Sequence, residues 1–315
     1  MQQNKIRVAL LAGGKSGERE VSLAGAREVA KALDPQKYEV RRYDPATDLP
    51  RLAAEAGDID VAFILLHGPF GEDGTVQGFL DLLGIPYQGS GVLGSAVAMD
   101  KNVAKILYRN AGLPVASWVM ARPADQTDPS RILAALSLPV VVKPVRQGSS
   151  LGMSIVEAAD DLPGALAKAF AFDPEVMVEQ YLAGREITGG VIGNEELIAL
   201  PLVEIIPGKE FRFFDYQAKY QPGASREVCP AELDQELTAR AQQYALAAHH
   251  ALNLRGYSRT DMIVAGRDIY LLETNTIPGM TPTSLLPQAA RAAGLSFGAL
   301  LDRLLELAMA GRETA

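Results

Sequence analysis

The sequence predicts an α/β protein whose N-terminal third is built on a parallel sheet and whose C-terminal part turns to α+β. Two observations carry this expectation. The first third alternates short apolar runs with stretches of helical spacing, the rhythm of βαβ units. Further on, strands come in succession, broken by a polar loop and one long helix, and they end in a hairpin. A chain of 315 residues with 48% hydrophobic and 22% charged content has room for two or three ordinary globular domains.

The elements follow in order. Ile6–Ala12 is a continuous apolar strand ending in Gly13-Gly14. Glu20–Leu33 has helical spacing at Val21, Ala24, Val29, Ala30 and Leu33, and it stops at Asp34-Pro35. Tyr38–Tyr43 reads as a strand, Leu49–Ala56 as a weak helix, and Val61–Leu66 as a buried strand ending in His67-Gly68. Thr75–Leu83 is a helix closed by Gly84, and Ile85–Tyr87 is a short strand. In such sheets ligands sit beyond the carboxyl ends of the strands, where both Gly13-Gly14 and His67-Gly68 fall.

The middle region holds a helix over Asp100–Ala111, strands at Trp118–Met120 and Val140–Lys143, and a helix near Pro129–Leu136 between them. Met153–Val156 and Val176–Gln180 are strands flanking a helix near Asp161–Ala169. The remainder holds strands at Glu186–Ile192 and Ala199–Glu204, a polar aromatic loop over Phe211–Tyr220, a helix over Asp234–Leu252 and a last helix from Phe297 to about Met309.

Composition excludes several classes. A net charge of −8 argues against general nucleic-acid binding, which needs a basic surface. Cys229 is the single cysteine, so no intrachain disulfide is possible, which fits a reducing compartment. The longest apolar runs, Val61–Leu66 and Leu138–Val142, fall far short of the ~20 residues that span a bilayer. The expected location is the cytoplasm, with no membrane partner.

The most chemical stretch is Arg259–Thr281, read as two strands joined at Gly266-Arg267-Asp268. Glu273 and Asn275 sit two apart and share a face. A three-residue loop would pair Ala265 with Ile269, setting Asp261 opposite Glu273 and Arg259 opposite Asn275. A two-residue loop would shift that register by one. In the first register three oxygen ligands converge beside a guanidinium. Two close carboxylates repel unless a cation or proton lies between them, and oxygen-only ligands favour a hard ion such as Mg²⁺ that shares its shell with phosphates. The competing reading is a solvated hairpin edge.

Lys143-Pro144 ends an apolar strand, and the loop Gln147-Gly148-Ser149-Ser150-Leu151-Gly152 follows. Such a loop can bend closely over phosphates, with the lysine as point charge; it can equally be a plain turn. Gly14-Lys15-Ser16 is no P-loop, because Ala9 stands where that motif needs its first glycine. The dinucleotide pattern G-x-G-x-x-G is absent too, and the glycine turn there presents Glu18, which could be only a helix-start acid. His67 precedes GPFGEDG and suggests a site, whereas His249 and His250 fall within a helix and read as structural. No zinc spacing and no nucleophile elbow occur. Lys219 could cap a phosphate or simply be solvated.

AGGKSGEREVS, LHGPFGEDGTVQG, YQGSGVLGSAVAMDK, VVVKPVRQGSSLGMS, EQYLAGRE, DYQAKY and SRTDM…LLETNTIPGMT followed by SLLP stand in one order across nearly the whole chain. Together they resemble the D-alanine–D-alanine ligases of the ATP-grasp superfamily. The resemblance implies a Rossmann-like N-terminal domain over residues 1–97, a central ATP-grasp subdomain over 98–184 and a C-terminal one over 185–315. It also implies a cytoplasmic homodimer that uses ATP and Mg²⁺ (or Mn²⁺, two ions) to join two D-alanines through an acyl phosphate.

Position by position, the resemblance gives Lys101 and Lys143 to the nucleotide phosphates, and Glu179, Gln180 and Leu182 to the segment that meets adenine. Glu186 falls on the ribose, the loop containing Ser150 closes over the phosphates, and Lys219 reaches the γ-phosphate. Asp261, Glu273 and Asn275 match metal ligands. Glu18 binds the first substrate's ammonium within a triad with Ser149 and Tyr220, and His67 lies near that substrate's carboxyl group. Ser284 and the Leu285 backbone hold the second carboxylate, and Arg259 with the Gly279 N–H stabilises an oxyanion. Tyr220 points to a dipeptide product rather than a D-lactate ester, so Tyr220→Phe is expected to raise D-lactate use. Thr274 and Ile277 stand where smaller residues are usual, and Pro282 also departs from the pattern. The alternatives are a ligase using D-lactate or D-serine, and a catalytically silent ATP-binding regulatory module that would have lost a metal ligand or phosphate lysine.

Overall fold

A computed structural model describes residues 5–208 and 225–310. The first unit contains β1 (Ile6–Leu11), α1 (Arg19–Ala32), β2 (Tyr38–Tyr43), α2 (Leu49–Ala54), β3 (Val61–Ile64) and α3 (Thr75–Leu82). The strands pair in parallel in the order β2-β1-β3, with Val8 beside both Val40 and Val61. The strand expected at Ile85–Tyr87 enters only as a single bridge from Tyr87 to Ala62. Pro86 explains this: it accepts from the Ala62 N–H at 2.8 Å but has no N–H of its own to extend the ladder. Helix α4 (Val92–Met99) follows, carrying little helical periodicity because its buried positions are the small residues Gly94, Ser95 and Ala98.

The second unit contains α5 (Lys101–Asn110), β4 (Trp118–Ala121), α6 (Ser130–Ala135), β5 (Val140–Pro144), β6 (Ser154–Val156), α7 (Leu162–Phe170) and β7 (Val176–Gln180). Its sheet is antiparallel in the order β4-β7-β5-β6, over a core that includes Ile132, Val142, Leu166 and Val178.

The third unit contains β8 (Arg185–Gly193), β9 (Ile198–Ala199), β10 (Val203–Pro207), β11 (Ser225–Val228), α8 (Gln235–Ala251), β12 (Gly256–Ala265), β13 (Asp268–Asn275), α9 (Leu285–Ala292) and α10 (Phe297–Ala310). Among the described residues its sheet runs β11-β10-β8-β12-β13, with β9 added to β8. The single strand expected over Ala199–Glu204 is divided into β9 and β10, again at a proline, Pro201. Helix α8 lies very close to β8 through its alanines: a Cβ placed on Gly189 would stand 2.9 Å from that of Ala245.

Helix α10 returns to the parallel sheet. Leu300, Leu301, Leu304 and Leu305 join one buried cluster with Val8, Leu10, Phe63 and Leu65, and Asp302 accepts from Lys37 Nζ at 2.8 Å and Tyr38 Oη at 2.9 Å. The N-terminal and C-terminal units thus share one buried core.

Candidate active site

The hairpin β12–β13 places the expected residues opposite one another, by a different route from the one anticipated. Its loop has two residues, so Ala265 faces Asp268 rather than Ile269. Alone this would shift every later pair. A β-bulge intervenes: Met262 pairs with Leu271 and Asp261 with Glu273, leaving Leu272 as the extra residue. Arg259 then faces Asn275. Leu272 is turned into the cleft beside Asp261, Ile263 and Glu273.

Asp261 is almost fully enclosed. Its Oδ1 accepts from Arg259 Nε at 2.9 Å and Thr188 Oγ1 at 2.6 Å, and its Oδ2 from Arg259 Nη2 at 2.8 Å and Asn275 Nδ2 at 3.1 Å. Burial opposes the charge on Arg259, but Asp261 and Glu273 outweigh it and hold the guanidinium above its ordinary pKa. Glu273 Oε2 lies 3.2 Å from Lys101 Nζ. Among the described residues no group of three or more His, Cys, Asp and Glu could hold a metal ion. The donors here are two carboxylates and an amide oxygen, all hard ligands. This set fits Mg²⁺ only if water and phosphate oxygens complete the shell, which is how that ion is commonly held.

The cleft beside the hairpin is built around lysines. Asp100 accepts from the Asn102 and Val103 N–H groups at 3.0 Å each, capping α5 so that Lys101 is its first residue. Lys101 Nζ also donates to the Gln147 carbonyl at 2.8 Å, tying the glycine-serine loop to the hairpin. In that loop Ser149 (φ 51°) and Ser150 (φ 57°) are both left-handed, a conformation costly for side-chain-bearing residues. Ser150 lines the cleft with Lys101, Lys143, Gln180, Leu182 and Glu186.

Glu179 lines this cleft together with Gln180 and Leu182. Its carboxylate is buried between two lysines, with Lys143 Nζ 2.5 Å from Oε1 and Lys105 Nζ 2.8 Å from Oε2. Burial would raise its pKa, but Lys105 and Lys143 override burial and bring it down to about 2. Burial pulls the Lys105 ammonium below its ordinary range, against the pull of Glu179.

A second cluster lies where the N-terminal unit meets the loop. Ser149 Oγ donates to Glu18 Oε1. Two glycines make room for that carboxylate: a Cβ on Gly148 would stand 2.7 Å from Glu18 Oε2, and one on Gly68 3.0 Å. His67 is buried and bonds the Ile277 backbone; burial, and to a lesser degree Arg259, lowers its pKa against Glu18. Glu72 accepts from the Gly68 N–H at 2.9 Å and the Ile277 N–H at 3.1 Å, joining the two units. Burial, with Glu18 adding repulsion, pushes Glu72 up to about 8 despite those bonds and Arg259. Ser284 precedes Leu285, the first residue of α9, and its Oγ accepts from the Thr281 N–H at 3.1 Å. A Cβ on Gly279 would approach that Oγ to 3.1 Å, so backbone and hydroxyl converge at a helix N-terminus suited to a carboxylate.

Lys219 and Tyr220 lie outside the described residues. The two unusual residues of the hairpin have structural reasons. Ile277 is buried with the core of the N-terminal unit, and the Thr274 hydroxyl is buried against Thr260 and Tyr108. Sequence reasoning missed Lys105, Tyr108, Glu72 and Thr188. The first two carried a usable signal: Lys101, Lys105 and Tyr108 stand at i, i+4 and i+7 on one helix face.

The D-ala D-ala ligase N-terminus model matches residues 7–48 and 44–90, and the D-ala D-ala ligase C-terminus model matches 107–306. A D-alanine--D-alanine ligase of Syntrophobacter fumaroxidans is 61% identical over 309 residues, covering 98% of this chain and 99% of the relative. One of Desulfotalea psychrophila is 58% identical, covering 97% and 95%. Among solved structures, the Bacillus anthracis D-alanine--D-alanine ligase complexed with ATP aligns with a TM-score of 0.84 at 36% identity, covering 98% and 99%. The VanG D-Ala:D-Ser ligase of Enterococcus faecalis aligns at 0.83 and 32%, covering 96% and 99%.

Proposed function

The chain belongs to the D-alanine–D-alanine ligase family, and from that premise we propose which residue carries each part of the reaction. It is an ATP-dependent ligase that joins two D-alanines for cell-wall synthesis. The backbone alone does not select the second substrate, because a D-Ala:D-Ser ligase aligns almost as well as a D-alanine--D-alanine ligase.

Lys101 and Lys143 hold the phosphates of ATP, with Ser150 of the glycine-serine loop above them. Glu179, Gln180 and Leu182 line the base region, Glu186 the ribose, and Glu179 also aims Lys143. Asp261, Glu273 and Asn275 hold Mg²⁺ or Mn²⁺, which when bound neutralises charge on the phosphate oxygens. The observation that carries this reading is the hairpin register, which sets Asp261 against Glu273 with Lys101 reaching the latter.

A carboxylate is a poor electrophile, and phosphorylation of the first D-alanine gives it a leaving group. Glu18, steadied by Ser149, binds the ammonium of that substrate, and His67 lies by its carboxyl group. Lys101 and Lys143 stabilise charge developing on the transferred phosphoryl oxygens. Ser284 and the Leu285 N–H hold the second carboxylate, while Arg259 and the Gly279 N–H face the tetrahedral oxyanion. By the family resemblance Lys219 caps the γ-phosphate and Tyr220 completes the triad with Glu18 and Ser149.

We extend the proposal to the remaining organisation. The division 1–97, 98–184 and 185–315 is supported by the three sheets, each of which falls within one segment. A homodimer is supported by the exposed Leu82 (88%) and Leu93 (61%) on the neighbouring helices α3 and α4. A cytoplasmic location is consistent with the absence, among the described residues, of any helix long and apolar enough to cross a membrane. The deciding experiment is phosphate release from ATP and Mg²⁺ with D-alanine against L-alanine. Release is expected with D-alanine only; turnover with L-alanine alone would overturn the substrate assignment, and release without added divalent ion would overturn the metal site.

A further inference from the structure

We propose that helix α5 is the common mount of the nucleotide site, with Lys105 and Tyr108 as positioning residues for groups on two different sheets. One helical stripe carries three contacts. Lys101 reaches Glu273 at 3.2 Å, Lys105 reaches Glu179 at 2.8 Å, and Tyr108 Oη donates to Thr274 Oγ1 at 2.6 Å. The side chains of Lys105 and Tyr108 are both 0% exposed, so neither touches a bound nucleotide, and each acts through its partner.

The two arms do different work. Lys105 holds Oε2 of Glu179, leaving Oε1 to fix Lys143. Without Lys105 the carboxylate can turn, and Lys143 loses its aim. The second arm supports the hairpin from behind. Thr274 lies between Glu273 and Asn275, and its cross-strand partner Thr260 lies between Arg259 and Asp261. Successive strand residues face opposite ways, so these hydroxyls occupy the face away from the ligands, 2.9 Å apart. Tyr108 completes a chain of three buried hydroxyls linking the hairpin to α5, the helix that starts with Lys101. The phosphate lysines and the carboxylates that would hold the ion are thereby kept in one frame. This inference rests on the assignment of Asp261, Glu273 and Asn275 as metal ligands.

Trp118 supplies a binding signal separate from turnover. It is the single tryptophan, lies opposite Glu179 on β4, and stands 5.7 Å from Lys105 Nζ. ADP is titrated into the full chain while Trp118 fluorescence is followed, in EDTA and at a series of Mn²⁺ concentrations. Lys105→Met is expected to weaken ADP binding about tenfold in both conditions. Tyr108→Phe and Thr274→Val are expected to leave binding in EDTA unchanged and to raise the Mn²⁺ concentration needed for tight binding about threefold to tenfold, the scale of one buried hydrogen bond. Thr274→Ser, which keeps the hydroxyl, is expected to restore the wild-type metal dependence even if Tyr108→Phe folds poorly. Glu273→Gln is the control. If it abolishes the Mn²⁺ effect while Tyr108→Phe and Thr274→Val leave it untouched, the mounting role is refuted and the metal site stands. If Glu273→Gln retains the full Mn²⁺ effect, the metal site itself is refuted.

Discussion

Two glutamates that burial pushes the same way end in opposite states, Glu179 in the lysine-lined cleft and Glu72 beside Glu18. Burial raises the pKa of both. Glu179 touches two lysine ammonium groups, whose attraction brings it to about 2. Glu72 is met by two backbone N–H groups and by the repulsion of Glu18, and it rises to about 8. Neutral donors do not offset what a direct ion pair offsets. Around Glu179 each lysine is therefore met by a carboxylate, Lys105 and Lys143 by Glu179 itself and Lys101 by Glu273. Around Glu72 two carboxyl groups, Glu72 and Glu18, repel one another with no lysine between them among the described residues.

The strongest way to break this comparison is Glu179→Gln. It leaves Lys105 buried without a full counter-charge, and removing one member of a buried pair costs ~3–5 kcal/mol. Urea unfolding checks this; a loss below ~1 kcal/mol would mean that the lysines find other partners. Next come the two clusters in parallel. Lys143→Ala and Glu18→Gln are each expected to lower kcat/KM by ~10²–10³, the usual loss for one directed group. The first should act through the KM for ATP and the second through the KM for D-alanine. If both substitutions raised the same KM, the two clusters would not be separate.

The mildest test is pH. A carboxyl whose folded pKa is raised from 4.5 to about 8 favours folding most below pH 4.5, and that contribution is lost as pH rises through 8. Glu179 runs the other way, its contribution present above pH 4.5 and lost as pH falls through about 2. Stability measured from pH 5 to 8.5 should decline less with pH in Glu72→Gln than in the wild type. An unchanged slope would show that Glu72 is already ionised at neutral pH.

Much of this was legible in the chain. The apolar runs located the strands of all three sheets except β11 and the division of β9 from β10, and the helices α5, α8 and α10 stand where they were expected. Prolines marked the exceptions, since Pro86 and Pro201 interrupt ladders that apolar character alone would continue. Helices α4 and α9 escaped notice, α4 because small buried residues leave little periodicity to read. In the site, Asp261 faces Glu273 as the alternation required, although the loop length assumed for it was wrong. A bulge at Leu272 is invisible in sequence, because any residue can be the extra one when packing selects it.

The sequence by itself determined which side chains share a face of a strand or helix, since that depends only on backbone periods of 2 and 3.6 residues. It thus set Glu273 and Asn275 on one face of the hairpin and Lys101, Lys105 and Tyr108 on one stripe of α5. Tertiary structure alone decided what each of those groups meets and which charge it carries. Glu179 and Lys105 are 74 positions apart and Glu72 and Ile277 are 205 apart, separations at which no local rule operates. Charge state depends on burial and on the nearest opposite charge, and both exist only once the sheets have closed on one another.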